Sequence, residues 1–395
     1  MGISEEIVNR IKSNIKVHND GISVHEPSFL NSNASKYLCE CIDSGWVSSS
    51  GKWVTKFEEL IHEFTGSKYV VVVSNGTNAL KLSLYMVGVR ANDEVFIPPL
   101  SFVATANAVS HLGAIPHFID IEPKSLGMCP LALEKRLNKI AIKKNNLVFN
   151  KYTGRRISAV VPVHVFGLPA KIVEIKRICS NWGLPLVEDA AEALGSSVFH
   201  NKQKIHCGCL GDFGTLSFNG NKIITTGGGG AILTSNYESF KLAKHISTTA
   251  KLNHPWDFFH DQIAWNDRLP NINAALGVSQ IEMLEEKLSL KRDLYCKYKQ
   301  IFEDLKEVEI LEESENSESN YWLITLRLKG SNHNTLKNEI LRYAHKLKIY
   351  LRPSWILLNE LPMYENAESG DLKEANNQSN RLINLPSSPQ LVSKL

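Results

Sequence analysis

Tyr69-Val70-Val71-Val72-Val73 runs directly into Ser74-Asn75-Gly76-Thr77-Asn78 and then Ala79-Leu80-Lys81-Leu82-Ser83-Leu84. The first five residues are aromatic or β-branched and suit a buried strand. From Asn78 to Val87 the apolar residues recur at helical spacing. A strand, a short polar turn and a helix form the repeating unit of an α/β sheet. Such a turn aims free N–H groups and the positive end of the helix dipole at an anion. Gly76 permits close backbone approach and Thr77 adds a hydroxyl. The same composition also serves as a plain helix cap, so the turn alone leaves both readings open.

Outward from this unit the pattern repeats. Glu94 to Ile97 and His117 to Ile121 read as strands, with Ala104 to Leu112 helical between them. Ile157 to Val165 is almost wholly apolar, as expected of a strand covered on both faces. A helix over Ala170 to Asn181 leads to a strand over Leu184 to Glu188, and Phe213 to Phe218 and Gly229 to Thr234 follow as strands. Asn271 to Leu305 reads as one long, bent helix. Beyond it Val308 to Leu311, Tyr321 to Leu328, Leu336 to Leu347 and Ile349 to Leu351 give β-β-α-β, with a loop over 314–320. The expected architecture is α/β: a large domain with a mostly parallel central sheet over residues 1–270, and a smaller α+β domain over 271–395.

With 395 residues and a formal net charge of +3, the chain lacks the basic excess of a nucleic-acid partner. No apolar run reaches the roughly 18 residues of a membrane span. Seven cysteines without regular spacing fit a reducing cytoplasm better than a disulfide framework. His206-Cys207-Gly208-Cys209 lacks a second ligand pair at zinc-site spacing, and no metal is assigned.

Chemistry enters with Lys222, in Ser217-Phe218-Asn219-Gly220-Asn221-Lys222 ahead of the tract Gly227 to Gly230. A lone lysine is ordinarily a surface residue, but this one follows an apolar strand and sits among glycines that let a backbone fold tightly. Asp189 ends a buried strand, where open α/β sheets bind ligands. Asp189-Ala190-Ala191-Glu192 also reads as a capping box that would start a helix. A lysine able to form an imine and a carboxylate able to hold a pyridinium are the groups that pyridoxal phosphate (PLP) chemistry requires.

Together these segments resemble the sugar aminotransferases of the DegT/DnrJ/EryC1/StrS family, PLP enzymes of fold type I. The resemblance runs from Gly45-Trp46-Val47-Ser48-Ser49 to Leu385-Pro386-Ser387-Ser388. It is carried by Ser74 to Leu80, Ser101-Phe102-Val103-Ala104-Thr105-Ala106-Asn107, Glu188 to Glu192, Ser217 to Lys222 and Trp265-Asn266-Asp267-Arg268-Leu269. It implies Lys222 as the catalytic, imine-forming lysine and Asp189 as the partner of the ring nitrogen. Phe102 would stack on the ring and Glu192 would lie near its hydroxyl. Gly76, Thr77 and Asn78 by backbone and Ser217 by hydroxyl would hold the phosphate. Asn266 would reach the partner's site in a homodimer with shared active sites. Phe102 has the competing reading of a core aromatic, and His164 that of a satisfied buried histidine beside the site. Two departures stand out: Gly228 where the family often has Glu, and Asp267 where it often has Tyr.

Ser217 to Ile223 with the four-glycine tract, Leu269 to Gly277 and Arg352-Pro353-Ser354-Trp355 further resemble the branch tied to legionaminic acid and bacillosamine. This implies L-glutamate as amino donor and UDP-4-keto-6-deoxy-N-acetylglucosamine as acceptor at C4. The alternative is a GDP-4-keto-6-deoxymannose 4-aminotransferase, a perosamine synthase. Lys222 speaks against the family's dehydratases, which carry His there. A non-catalytic PLP-binding regulator is a further alternative; such proteins carry a DNA-binding module, for which the segment ahead of Gly45 is short.

Overall fold

Why the polypeptide builds a sheet with one functional edge follows from its strand order. The computed structural model describes residues 2–16, 20–330 and 333–392. Helix α1 (Ile3–Asn14) comes first; β1 (Tyr69–Val73) then leads into α2 (Gly76–Met86). Next come β2 (Glu94–Ile97), α3 (Ala104–Ser110), β3 (Ile115–Phe118), β4 (Arg156–Val160), α4 (Ile172–Trp182), β5 (Val187–Asp189), β6 (Phe213–Ser217) and β7 (Gly230–Thr234). The strands lie in the order β1-β7-β6-β5 on one side and β4-β2-β3 on the other. Parallel bridges Val160↔Leu186 and Val163↔Asp189 join the two halves into one sheet. Within it β7 runs against its neighbours, and so does the short strand Leu147–Asn150, which with Ala141–Lys144 extends the sheet beyond β4. The mostly parallel sheet expected from the sequence is therefore present, and the C-terminal ends of β1, β4, β5 and β6 share one edge.

The strands are short and buried because both faces are covered: Val70 to Val73, Val95 to Ile97 and Val187 to Asp189 are all buried. Helix α2 starts where it does because the Asn75 side chain accepts the Asn78 N–H at 2.8 Å. The long helix expected over 271–305 is instead two, α5 (Asn271–Ile281) and α6 (Leu284–Phe302). Helix α5 packs on helices 34–44 and 52–65.

A second sheet contains β8 (Val308–Ile310) and β9 (Thr325–Leu328), followed in the chain by α7 (His333–Lys346), β10 (Arg352–Pro353) and β11 (Leu382–Asn384). Its order is β8-β9-β11-β10, antiparallel throughout. Ile349–Leu351 is not a strand: Ile349 makes a single bridge to Ile22, and the edge pairing falls on Arg352 and Pro353. A proline fits there because an edge strand can spare its N–H. The expected loop over 314–320 holds a two-residue strand, Ser317–Glu318, paired with Ser197 and Val198. The expected strand over 157–165 stops at Val160, and Phe166 turns the chain with φ 57. The N-terminal segment, expected with the large domain, packs on this second unit: α1 lies against α7 and Val24 accepts from Ser387 N–H.

Candidate active site

Lys222 lies just beyond β6. Its Nζ is 3.2 Å from Glu192 Oε1 and 3.9 Å above the Trp322 ring centroid. The two side chains of the ion pair are 12% and 5% exposed, so the amine is held in a largely dry setting. Glu192 is fixed from its other oxygen, which accepts the Phe166 N–H at 2.9 Å. Burial pushes the Glu192 carboxyl up, with Lys222 pulling the other way. The Trp322 shelf is itself tied down, its Nε1 donating to the Asn221 carbonyl at 2.7 Å. The preceding Tyr321 has φ 46. Left-handed φ at Phe166, whose N–H holds Glu192, and at Tyr321, next to the Trp322 shelf, stores local strain beside the site.

Asp189 ends β5. Its Oδ2 accepts from Thr105 Oγ1 at 2.7 Å, and Oδ1 accepts the Ala191 N–H at 3.2 Å. Thr105 is in turn 2.7 Å from Ser101 Oγ. Burial pushes the Asp189 carboxyl up, against the lowering effect of Thr105 and the Ala191 N–H. A buried carboxylate raised by desolvation gains most from a cation placed next to it. The capping-box reading of Asp189 to Glu192 is overturned: turns, not a helix, follow β5. Glu192 is thereby free to face Lys222.

At the end of β1 the N–H groups of Gly76 and Thr77 have no acceptor among the described residues. Ser217, last in β6, stands opposite. A Cβ on Gly76 would come within 2.9 Å of Ser217 Cβ, so glycine is required there by close approach. A Cβ on Gly230 would strike the Asn75 backbone at 2.6 Å, so β7 also comes this near only as glycine. Asn78 departs from its expected place. Its N–H is spent on the Asn75 cap, and its side-chain amide donates to Ser74 Oγ and Asp267 Oδ1, each at 2.9 Å. It braces the turn rather than facing an anion.

Phe102 is 52% exposed, which removes the core reading and leaves a ring face open; Trp355 stands 6.4 Å away. His164 is wholly buried, with Nε2 3.1 Å from Glu188 and Nδ1 accepting the Ala170 N–H. It is a satisfied histidine that props the strand carrying Asp189. Glu188 stays low in pKa despite its burial, because His164 and the N–H groups of Gly208 and Gly211 stabilise its charge. Asn266 is exposed and pairs with Thr248 through the backbone. The structure thus brings Lys222, Glu192 and Asp189 to one end of the sheet, with Gly76 and Ser217 at the facing turn. His206, beside the cysteines, donates from Nδ1 to the Cys207 carbonyl and accepts the Gly195 N–H at Nε2. Among the described residues no His, Cys, Asp and Glu gather as a metal site.

The donor set fits PLP: a lysine amine, a buried carboxylate awaiting a cation, a helix N-terminus with free N–H groups beside a serine, and an open aromatic face. A fold type I sheet with these groups at its C-terminal edge defines a PLP-dependent aminotransferase. The chain belongs to the DegT/DnrJ/EryC1/StrS aminotransferase family, which it matches over residues 29–394. It is 35% identical to the GDP-perosamine synthase of Vibrio cholerae over 94% of this chain and 95% of that one. It is also 35% identical to a protein of Bacillus subtilis, the putative pyridoxal phosphate-dependent aminotransferase EpsN, over 86% of this chain and 83% of that one. Helicobacter pylori PseC, an aminotransferase involved in the biosynthesis of pseudoaminic acid, superposes with a TM-score of 0.82 at 26% identity over 93% of each chain. The enzyme is a PLP-dependent sugar aminotransferase.

Proposed function

We propose that the enzyme moves the amino group of L-glutamate to C4 of a nucleotide-linked 4-keto-6-deoxy sugar, with the GDP-linked mannose derivative as acceptor. The likeness to GDP-perosamine synthase over nearly the full length of both chains supports this sugar over the UDP-linked one. The observation that carries the chemistry is the Lys222 amine held between Glu192 and the Trp322 face.

PLP, when bound, supplies the electron sink that lets a C–H bond beside nitrogen break and re-form. Lys222 Nζ is the basic atom that takes the proton from one carbon and returns it to the other, a task one amine performs in both half-reactions. Glu192 holds the amine in place, and Trp322 closes one side against water. Asp189 offers its charge to the ring nitrogen. Gly76 and Thr77 N–H and Ser217 Oγ take the phosphate, and Phe102 covers the ring. Asn266 completes the site of a second copy. Trp256, Phe258, Phe259 and Ile263, all exposed in the stretch just before it, supply apolar surface for that copy to cover. All seven cysteines are free, in keeping with a cytoplasmic enzyme.

The test is to offer glutamate with GDP-4-keto-6-deoxymannose, and separately with UDP-4-keto-6-deoxy-N-acetylglucosamine, and to weigh the products by mass spectrometry. The 4-amino sugar should form from the GDP substrate. Product from the UDP substrate alone would reverse the assignment of the sugar and leave the reaction class standing.

A further inference from the structure

Asp267 has no part in the chemistry above, yet several bonds converge on it. Its carbonyl accepts the Ser74 N–H at 2.7 Å. Its Oδ1 accepts from Asn78 Nδ2 at 2.9 Å, and its Oδ2 from Lys81 Nζ at 2.8 Å. Val73, at the end of β1, bridges Arg268 next door. One residue therefore grips the first and last residues of the turn Ser74–Asn78 and the helix one turn further on. The Lys81 and Asp267 side chains are 10% and 14% exposed, and Lys81 Nζ lies 4.9 Å over the Trp265 ring. A carboxylate this close to a turn with free N–H groups would repel any anion bound there, unless its charge were neutralised. Lys81 neutralises it.

We infer that Asp267 and Lys81 form a charge-compensated clamp that positions the Gly76 and Thr77 N–H groups for the cofactor phosphate. Asp267 is a positioning residue: it acts through the turn and Asn78. This inference rests on the reading that the turn takes that phosphate.

The sign of the charges makes the clamp testable apart from folding and from activity. Removing Lys81 alone leaves an uncompensated carboxylate beside the phosphate, so Lys81→Met should bind PLP more weakly than the double variant Lys81→Met/Asp267→Asn. Lys81→Arg, which keeps the charge, should hold PLP within a few-fold of wild type. Apoprotein of each form is titrated with PLP and with pyridoxal, which lacks the phosphate, and occupancy is read from the absorbance of the bound ring. Wild type should prefer PLP strongly. Lys81→Met should lose roughly tenfold or more in PLP affinity, on the scale of one charge-assisted interaction, with pyridoxal binding unchanged. A double variant as weak as Lys81→Met, or equal losses for PLP and pyridoxal, would overturn the clamp. A wild type that does not distinguish PLP from pyridoxal would instead overturn the phosphate reading beneath it.

Discussion

Gly76→Ala puts a single methyl group where the structure leaves no room. The new Cβ would stand 2.9 Å from Ser217 Cβ and 3.2 Å from Ser217 Oγ. Comfortable carbon contacts lie at about 3.5–4.0 Å, so the turn or the end of β6 must give by roughly 0.6 to 1.1 Å. Crowding of this kind costs about 1–3 kcal/mol. The alanine recovers up to about 1 kcal/mol of helix propensity at the start of α2, which offsets only part of that cost. The larger effect is on the anion. Hydrogen bonds to a charged group contribute about 1.5–3 kcal/mol each, and a 1 Å displacement misaligns at least one. PLP affinity should fall roughly ten- to a hundredfold.

The assay is an absorbance titration of apoprotein with PLP, alongside urea unfolding of the same samples. The geometry names its own control, Gly76→Ala/Ser217→Gly, which removes the atoms that are struck. The double variant should recover stability relative to Gly76→Ala, so the two substitutions must be strongly non-additive. PLP binding by Gly76→Ala equal to wild type, or simple additivity in the double variant, would refute the argument.

Lys222→Ala should still bind PLP, through the turn, Asp189 and Phe102, while transfer from glutamate falls by roughly a thousandfold or more; single-turnover assays and cofactor titration separate the two. Phe102→Ala removes a half-exposed ring, so unfolding should barely change while the dissociation constant for PLP rises about three- to tenfold, the scale of one aromatic stack. Burial holds His206 down at about 4, from the ordinary 6.5. The unfolded histidine takes up its proton between those values while the folded one does not, so stability is lost as pH falls through that window. Urea unfolding at pH 7 and pH 4 should show the gap between wild type and His206→Gln moving against wild type by up to about 3 kcal/mol.

Much of the large unit was readable because its signals are local. Strand β1 falls on the five residues that its β-branched run marks, and the polar turn Ser74–Asn78 and Asp189 sit at strand ends as the pattern required. What escaped depends on contacts between distant parts of the chain. Trp322 meets Asn221 across 101 residues, and nothing near either one in sequence signals the meeting. Phe166 offered a faint hint, a large residue before Gly167 at the end of an apolar run, but its left-handed turn shows only in space. Strand β11 is three residues long, too short for any alternation to register. Asp189 misled in an informative way. Its spacing to Glu192 matches a capping box, yet the acid was needed opposite Lys222, and tertiary contacts overrode the local preference. Asn78 misled for the opposite reason: its neighbour Asn75 claimed its N–H first.

The most direct measurement is where PLP becomes attached. The PLP-loaded enzyme is reduced with borohydride, digested, and its peptides mapped by mass spectrometry. A single phosphopyridoxyl label on Lys222 is the predicted result, lost when the enzyme is first treated with glutamate. A label on another lysine, or one scattered over several, would contradict the placement of the reacting amine between Glu192 and Trp322.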